Sequence, residues 1–380
     1  MTIQPLADTN LFKPIQVGRY QLQHRVVLPP LTRYRNDTDQ APTELAVEYY
    51  GQRSSKVGTL LVTEATFISA AAGGYDLAPG IWSGKQVTQW NRVFNKVHEN
   101  KSFIFVQLWH LGRASKPDGL KARGLPYVSS SANYITDEDK QLAKKVGNEL
   151  RALTVDEIKQ TVKDYAQAAA NAIKAGADGV EIHGANGYLP DQFIQSTSNT
   201  RTDQYGGSVE NRVRFVLEIV DAIVAEVGAD RTGIRLSPWG LIAGMGGAAY
   251  NPEETFGYLL EQLEKRAQEG KRLAYIHLVE PRYGRESMHI GSGVVPGDNA
   301  FAFEKWTGVV IRAGAYHEDY NHIKGHVNQN DRSLIAFGRT FIANPDLPER
   351  LEKGWELNQY NRDDFYGVGA KGYTDYPFHK

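Results

Sequence analysis

The sequence predicts an α/β protein built as a closed (β/α)8 barrel. Eight short apolar runs alternate with helical segments, in a unit of about 40 residues that recurs along the chain. Most runs are nearly continuous in aliphatic and β-branched residues, which is typical of parallel strands buried on both faces. No Pro- or Ser-rich linker divides the 380 residues, and such barrels commonly exceed about 250 residues as one unit. We therefore predict a single domain over residues 1–380.

Each predicted strand is short and is followed by a polar or glycine-containing segment. Strand and helix alternate throughout, which favours a closed barrel over an open doubly wound sheet. In a barrel of this kind the C-terminal ends of all eight strands meet at one face. The predicted strands cover residues 25–30, 59–67, 102–110, 177–184, 230–238, 273–281, 308–314 and 333–340.

The starts of the predicted helices are marked by capping residues. Thr154 is followed three residues later by Glu157, which is the capping-box pattern, and apolar residues then recur at helical spacing to residue 175. Ser208 is the expected N-cap of the next helix. Asn251 before Pro252 predicts another start, since proline suits the first helical position. Further helices are predicted at residues 44–54, 85–101, 318–329 and 347–353.

Two segments do not fit the repeat. Residues 14–23 have the pattern of a hairpin that turns at Gly18, and we expect this hairpin to plug the bottom of the barrel. Residues 111–153 form a much longer connection than the few residues that usually join a strand to a helix. Because connections of this length are usually functional, we expect a lid-like insertion over the active face.

Composition and charge exclude several classes of protein. The 43 Lys and Arg against 44 Asp and Glu give a formal net charge of −1, so nothing selects for nucleic acid or a membrane surface. The absence of cysteine excludes disulfides, thiolate zinc sites, cysteine nucleophiles and cysteine-ligated iron–sulfur clusters. The first residues lack a secretory signal pattern, and the longest charge-free stretch, residues 236–252, is broken by glycine and proline. We expect a cytoplasmic protein.

The fourth predicted strand is followed by the densest group of candidate catalytic residues. His183, Asn186 and Tyr188 lie within six residues of one another, with glycines between them. A His and an Asn can both donate hydrogen bonds to one oxygen, and a Tyr can deliver a proton at neutral pH. The alternative is a His that ends a strand and a half-buried aromatic residue. No lysine lies inside the eight runs, which argues against Schiff-base chemistry.

Arg235 on the fifth predicted strand indicates an anionic ligand. It alternates with Ile234 and Leu236 and therefore faces the barrel interior or its mouth. An arginine in that position is costly unless it meets an anion or several acceptors. The alternative is a structural ion pair with a carboxylate such as Glu64 or Glu280.

The last two predicted strands end in residues suited to phosphate. Gly314 follows the seventh strand, and Gly338 with Arg339 follows the eighth. Backbone N–H groups of these two loops form the usual phosphate site of such barrels, and an arginine adds a charge-assisted contact. Ordinary loop glycines beside a surface arginine are the alternative.

Several long segments resemble the Old Yellow Enzyme family of FMN-dependent ene-reductases, in the same order and across nearly the whole chain. The segments HGANGYL, from His183, and NTRTDQYGGS, from Asn199, are the most specific. The matching segments are LFKPIQVG from Leu11, PLTRYR from Pro30, EYYGQRS from Glu48, VQLWHLGR from Val106, EIHGANGYLPDQF from Glu181, SNTRTDQYGGSVENRVRF from Ser198, GIRLSP from Gly233, FGRTFIANPDLPERL from Phe337 and DDFYG from Asp363.

The resemblance implies a tightly bound, non-covalent FMN. In proteins of this kind the residue matching Thr32 bonds the O4 edge of the flavin, and those matching Gln107 and Arg235 bond its pyrimidine edge. A cation at that edge stabilises the negative charge of the reduced flavin. Ala315 stands where many members have a second glycine, so we expect the phosphate contact to be more crowded. The resemblance further places Pro30, Leu31, Ala65 and Phe365 around the ring and Gly314, Gly338 and Arg339 at the phosphate.

The resemblance also implies the reaction. NADPH reduces the flavin, and an α,β-unsaturated carbonyl or nitro compound then binds in the same pocket. His183 and Asn186 grip the oxygen of this substrate, the hydride goes to its β-carbon, and Tyr188 protonates its α-carbon. Trp109 shapes the pocket and Tyr366 lies at its entrance. No G-x-G-x-x-G motif follows a strand, and the family has no separate dinucleotide domain.

Three alternatives stay open from the sequence. One is a member of specialised metabolism that reduces or isomerises a single enal with the help of flavin. Another is a protein that binds flavin without turnover. The last is a metal-dependent barrel enzyme, which the collinear segments disfavour; we expect no metal. The residues of the metal-dependent alternative are Glu64, His110, His183 and Glu280.

We expect the protein to be a monomer or a homodimer.

Overall fold

A closed barrel of parallel strands forms the centre of the computed structural model, which describes residues 4–247, 250–281, 297–314, 316 and 320–380. Helices alternate with the barrel strands along the chain. The strands are β1 (Ile15–Val17), β2 (Tyr20–Leu22), β3 (Val26–Leu28), β4 (Leu60–Val62), β5 (Thr66–Phe67), β6 (Phe103–Trp109), β7 (Val128–Ser129), β8 (Arg151–Ala152), β9 (Gly179–Gly184), β10 (Thr232–Leu236), β11 (Tyr275–Val279), β12 (Val310–Ala313) and β13 (Ser333–Ala336).

The barrel closes through eight of these strands. Their order is β4, β3, β13, β12, β11, β10, β9 and β6, each parallel to the next, and β6 pairs back with β4. The α/β fold class and the (β/α)8 barrel predicted from the sequence are therefore confirmed. Closure leaves the eight barrel strands without a free edge and brings their C-terminal ends to one face.

The second predicted strand, residues 59–67, is wrong in one respect, since it consists of two strands, β4 and β5. The N–H of Glu64 donates to the hydroxyl of Tyr50 at 2.8 Å, and the hydroxyl of Thr66 donates to the carbonyl of Glu64 at 2.8 Å. These side chains take up backbone groups that a continuous ladder would use. The break leaves Glu64 and Ala65 at the mouth of the barrel, both buried.

The predicted helix starts are confirmed. Thr154 and Glu157 form a complete capping box, and Ser208 and Asn251 cap the following helices through their side chains. The start predicted at residue 318 lies outside the described residues. No helix in the described ranges has the length and apolarity needed to cross a membrane. The helices are α1 (Glu44–Arg53), α2 (Gly84–Glu99), α3 (Pro117–Ala122), α4 (Asp137–Val146), α5 (Val155–Lys174), α6 (Leu189–Ile194), α7 (Val209–Val227), α8 (Pro252–Gln268), α9 (Ala300–Lys305), α10 (Tyr320–Gln329), α11 (Arg339–Ala343) and α12 (Leu347–Lys353).

The N-terminal hairpin β1–β2 closes the bottom of the barrel, as predicted. Gly18 makes the turn with φ of 54°, in the left-handed region that favours glycine. Val17 and Leu22 are buried in one cluster with side chains from the barrel strands. Arg19 pairs with Asp230, just before β10, at 2.8 Å. The hairpin therefore lies at the N-terminal ends of the strands and leaves the opposite face open.

The segment 111–153 has its own secondary structure. It contains α3, α4 and the short parallel pair β7–β8, and it has a small core formed by Leu120, Tyr127, Ala143 and Leu150. Its hydrogen bonds reach the segments that follow β5, β9 and β10, for example from Ser115 to the carbonyl of Gly73 and from Arg113 to that of Ala243. These contacts lie towards the C-terminal ends of the strands, and the action of the insertion as a lid stays a prediction.

Candidate active site

The ends of three neighbouring strands bring several predicted site residues together. In the pairing of β9 with β10, His183 lies opposite Arg235, and in the pairing of β6 with β9, Gln107 lies opposite Glu181. Trp109 ends β6 and is buried. The closed barrel therefore assembles residues that are separated by more than a hundred positions in the sequence.

Three aromatic rings form one wall of the site. The rings of His183 and Tyr188 meet edge to face with centroids 4.7 Å apart, and Tyr188 meets Trp109 in the same way at 5.0 Å. Trp109 also stacks on Phe67 at 4.7 Å. Edge-to-face and stacked contacts of this kind fix the ring planes relative to one another. Trp109, His183 and Tyr188 are thus one packed unit.

The loop after β9 holds Asn186 and Tyr188 in place. Asn186 has φ of 59°, a conformation that asparagine tolerates better than most residues, and its N–H donates to the hydroxyl of Ser237 at 2.7 Å. Gly187 has φ of 75°, and a Cβ added there would lie 2.7 Å from the carbonyl oxygen of Ile242. Only glycine fits this position, which explains its place in the segment.

Two buried polar residues that the sequence analysis missed support this loop. Asp191 accepts the N–H of Gly187 and the side-chain amide of Gln195, both at 2.8 Å. Gln192 donates to the carbonyl of Gly187 at 2.7 Å and to that of Leu111 at 2.9 Å. Both lie in the segment EIHGANGYLPDQF, whose resemblance to the family gave no indication of this supporting role. Burial raises the pKa of Asp191 to about 7.

The insertion 111–153 is tied to the same loops. The backbone N–H of Arg113 and the hydroxyl of Ser129 both donate to the side-chain oxygen of Gln192, at 3.0 and 2.8 Å. The guanidinium of Arg113 donates to the carbonyl of Ala243, in the loop after β10, at 2.9 Å. One buried glutamine therefore joins the insertion to the loop that carries Asn186 and Tyr188.

Burial sets the protonation of the two candidate catalytic side chains. The pKa of His183 lies well below its ordinary value because the imidazole is buried and because Arg235 adds positive charge nearby. The pKa of Tyr188 is raised, mainly by burial. At neutral pH, His183 is therefore uncharged and Tyr188 keeps its proton.

The carboxylate that interacts electrostatically with Arg235 is that of Glu181, a residue that the sequence analysis did not single out. Glu181 is completely buried, and Arg235 is among the groups that lower its pKa. The two carboxylates predicted as alternative partners have other contacts: Glu64 accepts the backbone N–H of Arg33 at 3.2 Å, and Glu280 pairs with Arg312.

The opposite side of the mouth carries the remaining predicted cofactor residues. Pro30 and Ala65 are buried, whereas Leu31 and Thr32 are partly exposed at the end of β3. Gly338 precedes α11, and a Cβ added to it would lie 3.3 Å from Leu31 Cδ2. The other two residues predicted for phosphate, Gly314 and Arg339, follow β12 and begin α11. Ala315 lies outside the described residues.

The segment that carries Phe365 and Tyr366 is held by arginines that follow β3. Arg33 donates to the carbonyls of Phe365 and Gly372, at 2.9 and 2.7 Å. Arg35 donates to the carbonyl of Lys371 at 2.7 Å. Tyr366 is 62% exposed and its ring lies 5.5 Å from that of Tyr34. Both arginines belong to the PLTRYR segment, whose anchoring function the sequence analysis did not identify.

Three buried polar atoms at this face indicate that a polar group binds here. Gln107 Oε1, Trp109 Nε1 and His183 Nδ1 have no hydrogen-bond partner among the described residues. Buried polar groups are nearly always paired, and an unpaired one costs about 1–3 kcal/mol. All three belong to residues predicted to meet the flavin or the substrate. The residues present therefore fit a flavin with a substrate beside it.

The four residues of the metal-dependent alternative do not form a cluster. Within the ranges that the structure describes, no three His, Asp or Glu side chains lie close enough together to hold a metal ion. Nδ1 of His110, for example, accepts the backbone N–H of Gly112 at 3.1 Å.

This barrel and its site are those of a flavin oxidoreductase. The sequence model of the NADH:flavin oxidoreductase / NADH oxidase family matches residues 10–358, and the chain belongs to that family. Within it the chain is a member of the Old Yellow Enzyme group. It is an NAD(P)H-dependent flavin oxidoreductase.

Individual relatives match over almost their whole length. Enoate reductase 1 of Kluyveromyces lactis is 51% identical over 98% of this chain and 95% of its own. Old Yellow Enzyme from Pichia sp. AKU4542 superposes with a TM-score of 0.93 at 46% identity, covering 99% of this chain and 95% of that one. Morphinone reductase in complex with tetrahydroNAD gives a TM-score of 0.84 at 39% identity, with 98% of each chain covered.

Proposed function

We propose that this protein is an FMN-dependent ene-reductase that takes hydride from NADPH and reduces the activated C=C bond of α,β-unsaturated carbonyl or nitro compounds. The observation that carries the proposal is the set of unpartnered atoms of Gln107, Trp109 and His183, gathered at the mouth of the barrel beside Tyr188. Membership of the NADH:flavin oxidoreductase family supports a flavin as the cofactor and a nicotinamide nucleotide as the hydride donor.

The FMN is held by residues from six strand ends. Thr32 would bind the O4 edge of the ring, and Gln107 and Arg235 its pyrimidine edge, where the guanidinium would stabilise negative charge on the reduced ring. The phosphate is anionic and the chain as a whole is nearly neutral, so its charge is matched locally by Arg339. Pro30, Leu31, Ala65 and Phe365 would line the ring, and Gly314 and Gly338 would hold the phosphate.

The neutral state of His183 determines how the substrate is held. His183 and Asn186 donate hydrogen bonds to the carbonyl or nitro oxygen, and these bonds strengthen as negative charge develops on that oxygen. The reduced flavin supplies the hydride when it is bound. The hydride adds to the β-carbon of the C=C bond, and the electron pair of that bond moves onto the α-carbon and its activating group.

Tyr188 completes the reduction. Its hydroxyl gives a proton to the α-carbon, so that one hydride and one proton add across the double bond and the tyrosinate recovers a proton from solvent. The raised pKa of Tyr188, which is due mainly to burial, keeps this proton in place until the α-carbon carries charge. Trp109 fixes the Tyr188 ring by the edge-to-face contact at 5.0 Å and shapes the pocket. Tyr366, mostly exposed, lies at the entrance.

We propose that NADPH and the alkene occupy the same pocket in turn. A structure of the related morphinone reductase holds tetrahydroNAD, a nicotinamide analogue. The chain carries no G-x-G-x-x-G motif after a strand, which a separate dinucleotide domain would require.

The experiment that tests the proposal begins with cofactor content. The purified protein should be yellow, and released flavin should be FMN at about one per chain. NADPH and NADH are then added separately under anaerobic conditions to compare their rates of flavin bleaching. Enals, enones and nitroalkenes are finally compared as oxidants of the reduced protein. A colourless protein that does not take up added FMN would end the proposal, and flavin that bleaches but is reoxidised by no alkene would favour a protein that binds flavin without turnover.

A further inference from the structure

Glu181, Gln107 and His277 form a buried hydrogen-bonded chain inside the barrel. All three side chains are completely buried. The amide nitrogen of Gln107 lies 2.7 Å from Glu181 Oε1, and His277 Nδ1 lies 2.8 Å from Glu181 Oε2. Gln107 comes from β6, Glu181 from β9 and His277 from β11, so the chain spans the interior of the barrel.

The carboxylate remains ionised in this setting. Burial alone would raise the pKa of Glu181, but the hydrogen bond from His277, the charge of Arg235 and the hydrogen bond from Gln107 lower it below the ordinary value. Burial, with the charge of Arg235, lowers the pKa of His277 as well, so the imidazole stays neutral at neutral pH. Arg235 lies opposite His277 in the pairing of β10 with β11 and supplies the balancing positive charge.

An ionised carboxylate accepts hydrogen bonds and cannot donate them, and this fixes the orientation of both neighbours. Gln107 must turn its NH₂ group towards Glu181, which leaves Oε1 directed away from the carboxylate as an acceptor. That Oε1 is one of the unpartnered buried atoms. His277 must donate through Nδ1–H. Without the carboxylate, the two ends of the amide of Gln107 would be interchangeable in this position.

We propose that Glu181 is a positioning residue that fixes the amide of Gln107, so that the flavin site is offered a hydrogen-bond acceptor and not a donor. This inference rests on the proposed function. The pyrimidine part of a flavin has one ring N–H, at N3, between two carbonyl groups. An acceptor at Gln107 Oε1 matches N3–H, whereas an amide turned the other way would present its NH₂ group to the same atom. His277 in turn holds Glu181 through its second oxygen.

The first test compares FMN binding to the parent and to Glu181→Gln. The variant replaces an acceptor that cannot donate by an amide of the same shape, which accommodates Gln107 in either orientation. Apo-protein is titrated with FMN, and the dissociation constant is read from flavin fluorescence. We expect the dissociation constant to rise about tenfold or more, because the contact concerned is a buried hydrogen bond. The midpoint potential of the bound flavin should change as well.

Asp178→Asn is the matched control. Asp178 lies immediately before β9, is buried, and accepts the N–H of Ile104 at 2.8 Å beside His98 at 2.9 Å. It therefore repeats the carboxylate–histidine arrangement at the other end of the same strand. We expect this variant to bind FMN as the parent does.

A second background separates positioning from structural support. In Gln107→Met the amide is absent, so adding Glu181→Gln should cause little further loss of FMN affinity. An equally large loss in that background would show that Glu181 acts on stability and would overturn the proposal. FMN affinity and midpoint potential unchanged by Glu181→Gln in the parent background would overturn it too.

The last arm needs no variant and applies even where Glu181→Gln does not fold. FMN methylated at N3 lacks the ring N–H and should bind the parent at least tenfold more weakly than FMN. Equal binding of the two flavins would contradict an acceptor at this position. A parent protein that binds neither flavin would instead contradict the proposed function itself, so the two failures are distinguishable.

Discussion

The protonation of His183 and Tyr188 follows from where each side chain is buried. Both rings lie in one aromatic unit with Trp109, and burial opposes charge on each of them. A neutral His can donate to a substrate oxygen without bringing a full charge into the pocket. A protonated Tyr is available as an acid over the whole neutral range. The same physical cause thus prepares one residue to bind and the other to protonate.

Removing the hydroxyl of Tyr188 should slow only the oxidation of the flavin by alkene. Tyr188→Phe keeps the edge-to-face contacts with Trp109 and His183, so the fold and the flavin site should be unchanged. We expect reduction of a cyclic enone to slow by about 100-fold, in line with the loss of a general acid. Anaerobic stopped-flow measurement of both half-reactions checks this. If the variant reduced the enone as fast as the parent, Tyr188 would not be the proton donor.

The pair His183 and Asn186 should affect the substrate more than the flavin. Asn186 has positive φ, so glycine replaces it without straining the loop. We expect His183→Ala with Asn186→Gly to weaken the binding of an enone and to slow its reduction by at least about 100-fold. FMN content should stay near that of the parent.

The matched control for this pair is His110→Asn, since His110 is a buried histidine at the neighbouring strand end whose Nδ1 accepts a backbone N–H. It should leave enone binding close to the parental value. If the double variant lost FMN and kept enone binding, the role proposed for the pair would be reversed.

At the scale of elements, the hairpin β1–β2 is held by close backbone contact as well as by apolar burial. Gly18 has φ of 54°, and a Cβ added there would lie 1.9 Å from the backbone oxygen of Asp230. No side chain can yield at this contact, because the opposing atom belongs to the main chain. The hairpin and the segment before β10 must separate if the residue has a side chain.

Gly18→Ala should therefore lower thermal stability strongly. We expect a loss of more than about 2 kcal/mol, combining left-handed strain with the clash. Gly124→Ala is the control, since Gly124 has φ of 69° but an added Cβ meets no atom within 4 Å. That variant should lose only the backbone component, about 1–2 kcal/mol. Equal melting temperatures for the two variants would show that the hairpin is not closely seated on the barrel bottom.

Elements were predicted from the sequence better than the contacts between them. Hydrophobic runs and caps such as Thr154 depend on neighbours in sequence, so the strands, the helix starts and the turn at Gly18 could be predicted. The break between β4 and β5 could not, because it depends on the hydroxyl of Tyr50, from α1, accepting the N–H of Glu64. The His277 contact of Glu181 was missed for the same reason, since their strands are not consecutive neighbours.

At the scale of the whole molecule, buried carboxyl groups make stability depend on pH. Burial raises the pKa of Asp191 from 3.8 to about 7, so the folded state binds this proton more tightly than the unfolded state. The contribution of this group is therefore most favourable below about pH 4 and is lost as pH rises to about 7. The loss is at most about 4 kcal/mol, from about three pKa units.

Asp191→Asn removes this titration while keeping one acceptor for the N–H of Gly187. We expect the melting temperature of the variant to rise relative to that of the parent as pH increases from 4.5 to 8, whatever its absolute value. Melting curves of both proteins across that range test this prediction. Parallel curves at all pH values would show that Asp191 is ionised in the fold throughout.

The central claim concerns the reaction that the assembled barrel performs, and one anaerobic single-turnover measurement tests it most directly. The FMN-loaded protein is reduced with one equivalent of NADPH and mixed with excess cyclohex-2-enone, while flavin absorbance and product are followed together. The account predicts that the flavin is reoxidised and that one equivalent of saturated ketone forms. Flavin that stays reduced in excess enone and nitroalkene, or that is reoxidised without saturated product, would contradict it.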